Sequence, residues 1–159
     1  MEAAEGGDAD SQYVLAVIYE TGKGVEQSNK EAAKWYTKSA EQGNKDAQFQ
    51  LGGMYEKGVG VKQDSRQSIV WYTKAAAQGS PEAQNILIEL YENGNGKDIQ
   101  QDYKQLYVWA SIRAADGDAN AKTKLEMAAS KLDPSQMGEA KKLAAKLSEK
   151  IEASKVPTN

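Results

Sequence analysis

Apolar residues recur in three stretches of the chain, at spacings that fit one face of a helix. The first stretch carries Leu15, Ala16, Ile18 and Tyr19, which lie four, five, seven and eight residues after Ser11. Such spacings form a continuous apolar stripe on an α-helix. The same columns are filled by Leu51, Gly52, Met54 and Tyr55, and again by Leu87, Ile88, Leu90 and Tyr91. The pattern predicts three equivalent amphipathic helices.

A second type of helix is predicted after each of the first. Its inward positions are Ala32, Trp35, Tyr36 and Ala40 in one copy, and Ser68, Trp71, Tyr72 and Ala76 in the next. Small residues allow helices to approach closely, and aromatic rings fill the space beside them. We therefore assign Trp35 and Trp71 to packing rather than to ligand stacking.

The two helix types form a repeating unit. The stretch WYTKSAEQG at 35–43 matches WYTKAAAQG at 71–79, a shift of 36 residues. The third copy, VWASIRAADG at 108–117, is shifted by 38, because the loop NGNGKDIQQD is two residues longer. A fixed period of two helices predicts an all-α fold, an αα-hairpin repeat solenoid.

A pair of glycines follows each first helix, in the sequences YETGKG, YEKGVG and YENGNG. A phosphate-binding glycine loop follows a strand and opens a helix, whereas these loops follow a helix. The glycine pair is therefore predicted to be a structural turn. Good N-cap residues support the helix starts: Asp8, Asn44, Ser80 and Asp118 for the first helices, and Ser28, Asp64 and Asp102 for the second.

The composition removes several classes of function. The chain contains neither cysteine nor histidine, which excludes thiolate and imidazole metal ligands and the nucleophile systems that need histidine. A net charge of -3 argues against nucleic acid as a partner, because a basic surface supplies most of that affinity. No stretch approaches the roughly 18 apolar residues of a membrane span. The compartment stays open: bacterial cytoplasm, or the periplasm or exterior if an export signal has been removed.

Carboxylates are the main remaining candidates for chemistry. Glu56 and Glu92 recur at the same place in their repeats, and two acids can cleave a glycosidic bond. Their recurrence distinguishes no single pair, and an enclosed pocket is hard to build from a repeat of this kind. We predict no enzymatic activity and no catalytic, cofactor-binding or metal-binding residue.

Several columns of the repeat coincide with those of a known family. The patterns A-x-x-x-L-G-x-x-Y, G-x-G-V and W-Y-x-K-A-A-x-Q-G are most complete at 47–79, and the chain resembles the Sel-one-like repeat (SLR) family, relatives of tetratricopeptide repeats. The resemblance implies a right-handed αα superhelix that serves as a scaffold for protein partners, often in bacteria. The third unit departs from it where Ile88 fills the column of Ala16 and Gly52 and Ala110 replaces Tyr36 and Tyr72, and the fourth unit departs where Glu126 fills the first of these columns and Ala129 replaces a tyrosine.

The repeat divides the chain into predicted segments. Residues 1–7 form the tail of a preceding repeat or a disordered start, residues 133–154 a C-terminal capping helix, and residues 155–159 a disordered tail. Repeats 1, 2 and 3 occupy 8–43, 44–79 and 80–117, and a partial fourth repeat occupies 118–132. The chain is expected to be a fragment of a longer array, or to begin with a first helix that a neighbour covers.

In tetratricopeptide-like arrays the first helices line the concave groove, so the resemblance implies where a partner binds. The implied positions are Asp10, Tyr13, Val17, Glu20, Asp46, Phe49, Glu56, Glu82, Asn85, Glu89 and Glu92. They predict an acidic groove with an apolar patch, which suits a basic or amphipathic protein segment. The alternatives are an immunity or regulatory protein that blocks a partner enzyme, a purely structural piece of a repeat array, and a solvated acidic face without a partner. Oligomeric state stays open.

Overall fold

Helices alternate with short turns throughout residues 2–155, which are the residues that the computed structural model describes. Nine helices lie in this range: α1 Glu2–Glu5, α2 Ala9–Thr21, α3 Asn29–Glu41, α4 Lys45–Lys57, α5 Ser65–Ala76, α6 Pro81–Asn93, α7 Tyr103–Ala115, α8 Ala119–Lys131 and α9 Pro134–Lys155. No strand occurs within 2–155. The predicted all-α, hairpin-repeat fold is confirmed.

The helices group into two compact units, Met1–Ala75 and Ala76–Asn159. In the first unit α2 packs on α3, and α3 packs on α4. In the second unit α6 packs on α7, which also contacts α8 and α9. The predicted segment boundaries stay predictions, and four of the five residues of the predicted tail at 155–159 lie outside the described range.

The helix ends follow the predicted capping chemistry. The Asp8, Asn44, Ser80 and Asp118 side chains each accept a hydrogen bond from a backbone N–H in the first turn of α2, α4, α6 and α8. Asp64 Oδ1 accepts from the backbone N–H of Arg66 and Gln67 at the start of α5. These bonds satisfy donors that a helix start leaves without an intrahelical partner.

The two glycines of the turn between α4 and α5 have separate structural roles. Gly58 ends α4 in the left-handed conformation with φ 69°, which glycine adopts without strain, and its N–H donates to the Met54 carbonyl. Gly60, also left-handed with φ 74°, approaches the start of α3. A Cβ atom placed on Gly60 would lie 2.1 Å from the carbonyl oxygen of Asn29. The loop is therefore a packed turn.

A buried glutamine links the first helix of each of the three complete repeats to the helix before it. The side-chain amides of Gln12, Gln48 and Gln84 donate to the backbone carbonyls of Ala4, Ala40 and Ala76, each at 3.0 Å. Each carbonyl lies in the last turn of the preceding helix and also accepts from a glycine backbone N–H, so the glutamine amide supplies its second hydrogen bond. These glutamines recur every 36 residues, so the sequence held a signal for this contact that the hydrophobic pattern did not use.

Small side chains and aromatic rings make up much of both cores. In the first unit Tyr36 and Leu51 are fully buried among alanines, and Trp71 closes the same cluster. Trp35 is only partly buried, and the Lys38 ammonium group lies 4.0 Å from the centre of its ring. In the second unit Leu106 and Trp109 are buried, and Ala140, Ala144 and Ile151 are the buried residues of α9.

Candidate functional site

Two tyrosines of the second helices hold carboxylates of the first helices. Tyr36 Oη donates to Glu20 Oε2 at 2.7 Å, and Tyr72 Oη donates to Glu56 Oε2 at 2.8 Å. Burial, followed by the bond to the carboxylate, raises the pKa of both tyrosines well above its usual range. Glu20 and Glu56, two predicted partner contacts, therefore each already use one carboxylate oxygen to accept a hydrogen bond within the chain.

Tyr13 and Phe49, the two aromatic residues among the predicted partner contacts and here called the aromatic anchors, pack against the same tyrosines. The Tyr13 ring centre lies 5.7 Å from that of Tyr36, and the Phe49 ring centre lies 5.6 Å from that of Tyr72. Both pairs are tilted, with interplanar angles of 53° and 50°. This geometry is typical of stabilising aromatic contacts. Each anchor thus has one side in the core and is held in position by it.

A cleft of about 520 Å³ opens on the face of α2. It is lined by Tyr13, Val14, Val17, Ile18, Thr21 and Lys23. The lining is largely apolar, and 55% of the Val14 surface is exposed. Val17 was predicted from the groove columns, whereas Val14 and Ile18 were not, because they lie on the neighbouring side of the helix.

Acidic groups lie beside this cleft. Burial raises the pKa of Tyr13, and the nearby negative charges of Asp46 and Glu20 raise it further. Asp46 is exposed at the start of α4. Asp10 is also exposed, and its Oδ1 accepts from Asn44 Nδ2 at 2.8 Å. The first unit thus brings an apolar cleft and carboxylates together, which are the two kinds of surface predicted for the groove.

The second unit places the remaining predicted residues along α6. Glu82 Oε2 accepts from the Ser80 hydroxyl at 3.1 Å, and Glu89 is exposed. Asn85 Oδ1 accepts from Arg113 Nε at 3.1 Å, and Glu92 forms an ion pair with Lys124. Arg113 and Lys124 come from α7 and α8, and the groove columns did not predict them. They offset part of the acidity expected on this helix.

Asp118 is held by both its helix and Arg113. Its carboxylate accepts from the backbone N–H of Ala121 at 2.9 Å and from Arg113 Nη2 at 2.9 Å. The backbone bond first, and then the guanidinium group, lowers the pKa of Asp118. A cleft of about 370 Å³ opens beside this pair, between α6 and α8.

Neither a metal centre nor a membrane span is found in the described part of the chain. Within 2–155, no three acidic side chains are grouped so that they could hold a metal ion. None of the helices in this range is both long and apolar enough to cross a bilayer.

Comparisons with known proteins match this repeat architecture. The family model described as Sel1 repeat matches residues 9–44 and 45–80. A Sel1 repeat protein from Oxalobacter formigenes is 34% identical, with a TM-score of 0.67 over 77% of this chain and 49% of its own. A protective antigen present in uropathogenic Escherichia coli strains, which displays an SLR fold, is 32% identical, with a TM-score of 0.69. That match covers 98% of this chain and 34% of the antigen.

This chain therefore spans less than half the length of either solved relative. No curated protein matches it. Sel1 repeat proteins are generally non-catalytic modules for protein–protein interaction. Residues 9–80 therefore form two successive Sel1 (SLR) repeats, and the chain is similar to solved Sel1 repeat proteins.

Proposed function

We propose that this chain is a non-enzymatic scaffold that binds a protein segment on the exposed face of α2. The observation that carries the proposal is the apolar cleft on α2 with carboxylates beside it. Exposed apolar surface rimmed by polar groups is typical of protein interaction sites. The similarity to Sel1 repeat proteins supports the same class of function, because Sel1 repeats generally act as interaction modules.

The occupant of this cleft is an amphipathic, basic segment. Its apolar side chains pack against Val14, Val17 and Ile18, which together present a surface without hydrogen-bonding groups. Its Lys or Arg side chains face Asp46 and the free oxygen of Glu20, whose charges lie close enough to act on the Tyr13 hydroxyl. Charge complementarity of this kind selects partners and speeds association.

A structural role is the second candidate, and one contact favours it. The bond from Gln12 to the Ala4 carbonyl repeats the bond from Gln48 to the Ala40 carbonyl. In that alternative the α2 face packs against a helix of the repeat type, with no requirement for basic residues. An immunity or regulatory protein that blocks an enzyme would use the same cleft as the scaffold, with a different partner.

A defined peptide separates these candidates. The probe is a fluorescein-labelled amphipathic helix about four turns long, with leucines on one face and lysines beside them. A second peptide carries glutamate in place of every lysine. Fluorescence anisotropy is measured at low salt and again at about 0.3 M salt, where exposed charges are strongly screened. We expect the lysine peptide to bind more tightly, and the added salt to weaken it.

The matched variants are Val14→Glu and Val70→Glu. Both valines are exposed, at 55% and 44%, but Val70 lies on α5 and outside the cleft. We expect Val14→Glu to reduce binding of the lysine peptide and Val70→Glu to leave it unchanged. Equal binding of the two peptides would favour the structural role, and an equal effect of the two variants would overturn the proposed site.

A further inference from the structure

The cleft between α6 and α8 differs from the face of α2 because the third repeat has lost a tyrosine. In the first two repeats a tyrosine hydroxyl holds the glutamate near the end of the first helix. Ala110 stands where the third tyrosine would be and has no hydroxyl group. Glu92, the third glutamate, instead pairs with Lys124 of α8. The third repeat therefore combines a column without a tyrosine with a partly buried ion pair at the cleft.

The same substitution leaves room for a larger neighbour on α6. In the second repeat a Cβ on Gly52 would lie 2.7 Å from Cδ1 of Tyr72, so the column beside the tyrosine must be small. The third repeat has the reverse combination, Ile88 with Ala110, and both residues are buried. Ile88 also lines the cleft. The departure from the repeat pattern therefore changes both the shape and the charges of this site.

Lys124, which lines the cleft, and Arg113, which bonds to Asn85 and Asp118 of the lining, are both already paired with carboxylates. Lys124 is paired with Glu92, and these side chains are only 26% and 16% exposed. Arg113 donates to Asp118 at 2.9 Å and to Asp116 at 3.4 Å. A ligand carboxylate or phosphate would have to displace one of these pairs, so an anionic ligand is disfavoured.

The groups that remain free suit a peptide main chain. Asn85 uses its Oδ1 to accept from Arg113, which leaves its amide hydrogens to donate. Asn93 uses its Nδ2 to donate to the Glu89 carbonyl at 3.2 Å, which leaves its Oδ1 to accept. The two asparagines are eight residues apart on α6, or about 12 Å along the axis. An extended chain covers that distance with about four residues.

Glu89 is the charged residue midway between Asn85 and Asn93 on α6. It lies one turn from each asparagine, is exposed, and makes no ion pair with any residue in the described range. We propose that the α6–α8 cleft binds about four residues of extended protein chain, held by Asn85 and Asn93, with a Lys or Arg side chain against Glu89. This proposal rests on the proposed function, since it names a second contact for a bound segment.

The test uses short peptides and the full chain. The probe is a blocked pentapeptide, Ala-Ala-Lys-Ala-Ala, and its two counterparts carry norleucine or glutamate at the centre. Binding is followed by amide chemical shifts in ¹⁵N NMR spectra, which detect weak association. The variants are Glu89→Gln and Asn93→Ala, with Glu126→Gln as the matched control, because Glu126 is exposed on α8 and outside the cleft.

We expect the lysine peptide to change the amide chemical shifts of the α6 and α8 residues near the cleft. Glu89→Gln should weaken binding of the lysine peptide about two- to fivefold, as expected for loss of an exposed ion pair, and should leave binding of the norleucine peptide unchanged. Asn93→Ala should weaken the binding of both peptides, and Glu126→Gln should weaken the binding of neither. Tighter binding of the glutamate peptide, equal effects of the two glutamate variants, or no shifts near the cleft would overturn the inference.

The outcome is distinguishable from failure of the proposed function. If the amphipathic peptide binds α2 while the pentapeptide leaves the α6–α8 residues unshifted, only the inference at this cleft is wrong. If neither peptide binds, both proposals are wrong.

Discussion

A matched pair of alanine substitutions, Gly60→Ala and Gly24→Ala, tests the role of the glycine turns. The two glycines occupy the same column of successive repeats and have nearly the same backbone, with φ 74° and 78°. Alanine in this left-handed region costs about 1–2 kcal/mol at either position. The two sites differ in what the new methyl group would meet.

At Gly24 no neighbouring atom lies within 4 Å of the added carbon. At Gly60 the added carbon would lie 2.1 Å from the carbonyl oxygen of Asn29 and 2.7 Å from its carbonyl carbon. Ordinary carbon–oxygen contacts are about 3.3 Å or longer, so the backbone must move by about 1 Å. Overpacking typically costs a further 1–3 kcal/mol, roughly.

We therefore expect the free energy of unfolding to fall by roughly 2–5 kcal/mol in Gly60→Ala and by roughly 1–2 kcal/mol in Gly24→Ala. Urea unfolding followed by far-ultraviolet circular dichroism measures both, provided that the m-value is unchanged. Equal losses in the two variants would refute the close approach at Gly60. A larger loss in Gly24→Ala would refute it as well.

Two further predictions concern the tyrosine–glutamate pairs. Burial and the bond to Glu20 raise the pKa of Tyr36, so the folded state binds the phenolic proton more tightly than the unfolded state does. The stabilisation that results is complete below about pH 10, the unfolded pKa, and the free energy of unfolding falls by about 1.4 kcal/mol per pH unit above it. Tyr36→Phe should therefore flatten the alkaline loss of stability, and an unchanged slope would contradict the assignment. Ala110→Tyr should cost roughly 1–3 kcal/mol beside Ile88, and Ile88→Ala should relieve part of that cost in the double variant. Strictly additive unfolding free energies would show that the two positions do not share one space.

The repeat and its helix ends were predictable because they depend on local chemistry. Asp8 and Asn44 cap helices through bonds to residues three positions away, which a sequence shows directly. The turn glycines were predictable for the same reason, since the left-handed conformation is a property of single residues. The 36-residue period then set which helices are equivalent.

Contacts between residues far apart in the sequence were harder to predict. The Tyr36–Glu20 bond recurs as Tyr72–Glu56, so the period held a signal for it that could have been used. The pairing of Glu92 with Lys124 held no such signal, because it occurs in one repeat only.

The α2 face shows a different limit of the sequence pattern. Val14 is apolar and exposed, while Gln50 occupies the equivalent place on α4. A groove column taken from the family cannot indicate that one copy carries an extra apolar position. The eleven residues predicted to contact a partner stay predictions, and the structure adds Val14, Ile18, Arg113 and Lys124 to the surfaces they form.

The most direct test of segment binding is to map the lysine-bearing amphipathic peptide on the ¹⁵N-labelled chain by NMR. We expect the largest amide shift changes on α2, around Val14 and Val17, and we expect them to shrink when salt is added. Shift changes centred on the outer side of α5, around Val70, or no change at saturating peptide would contradict a partner site on the first helices.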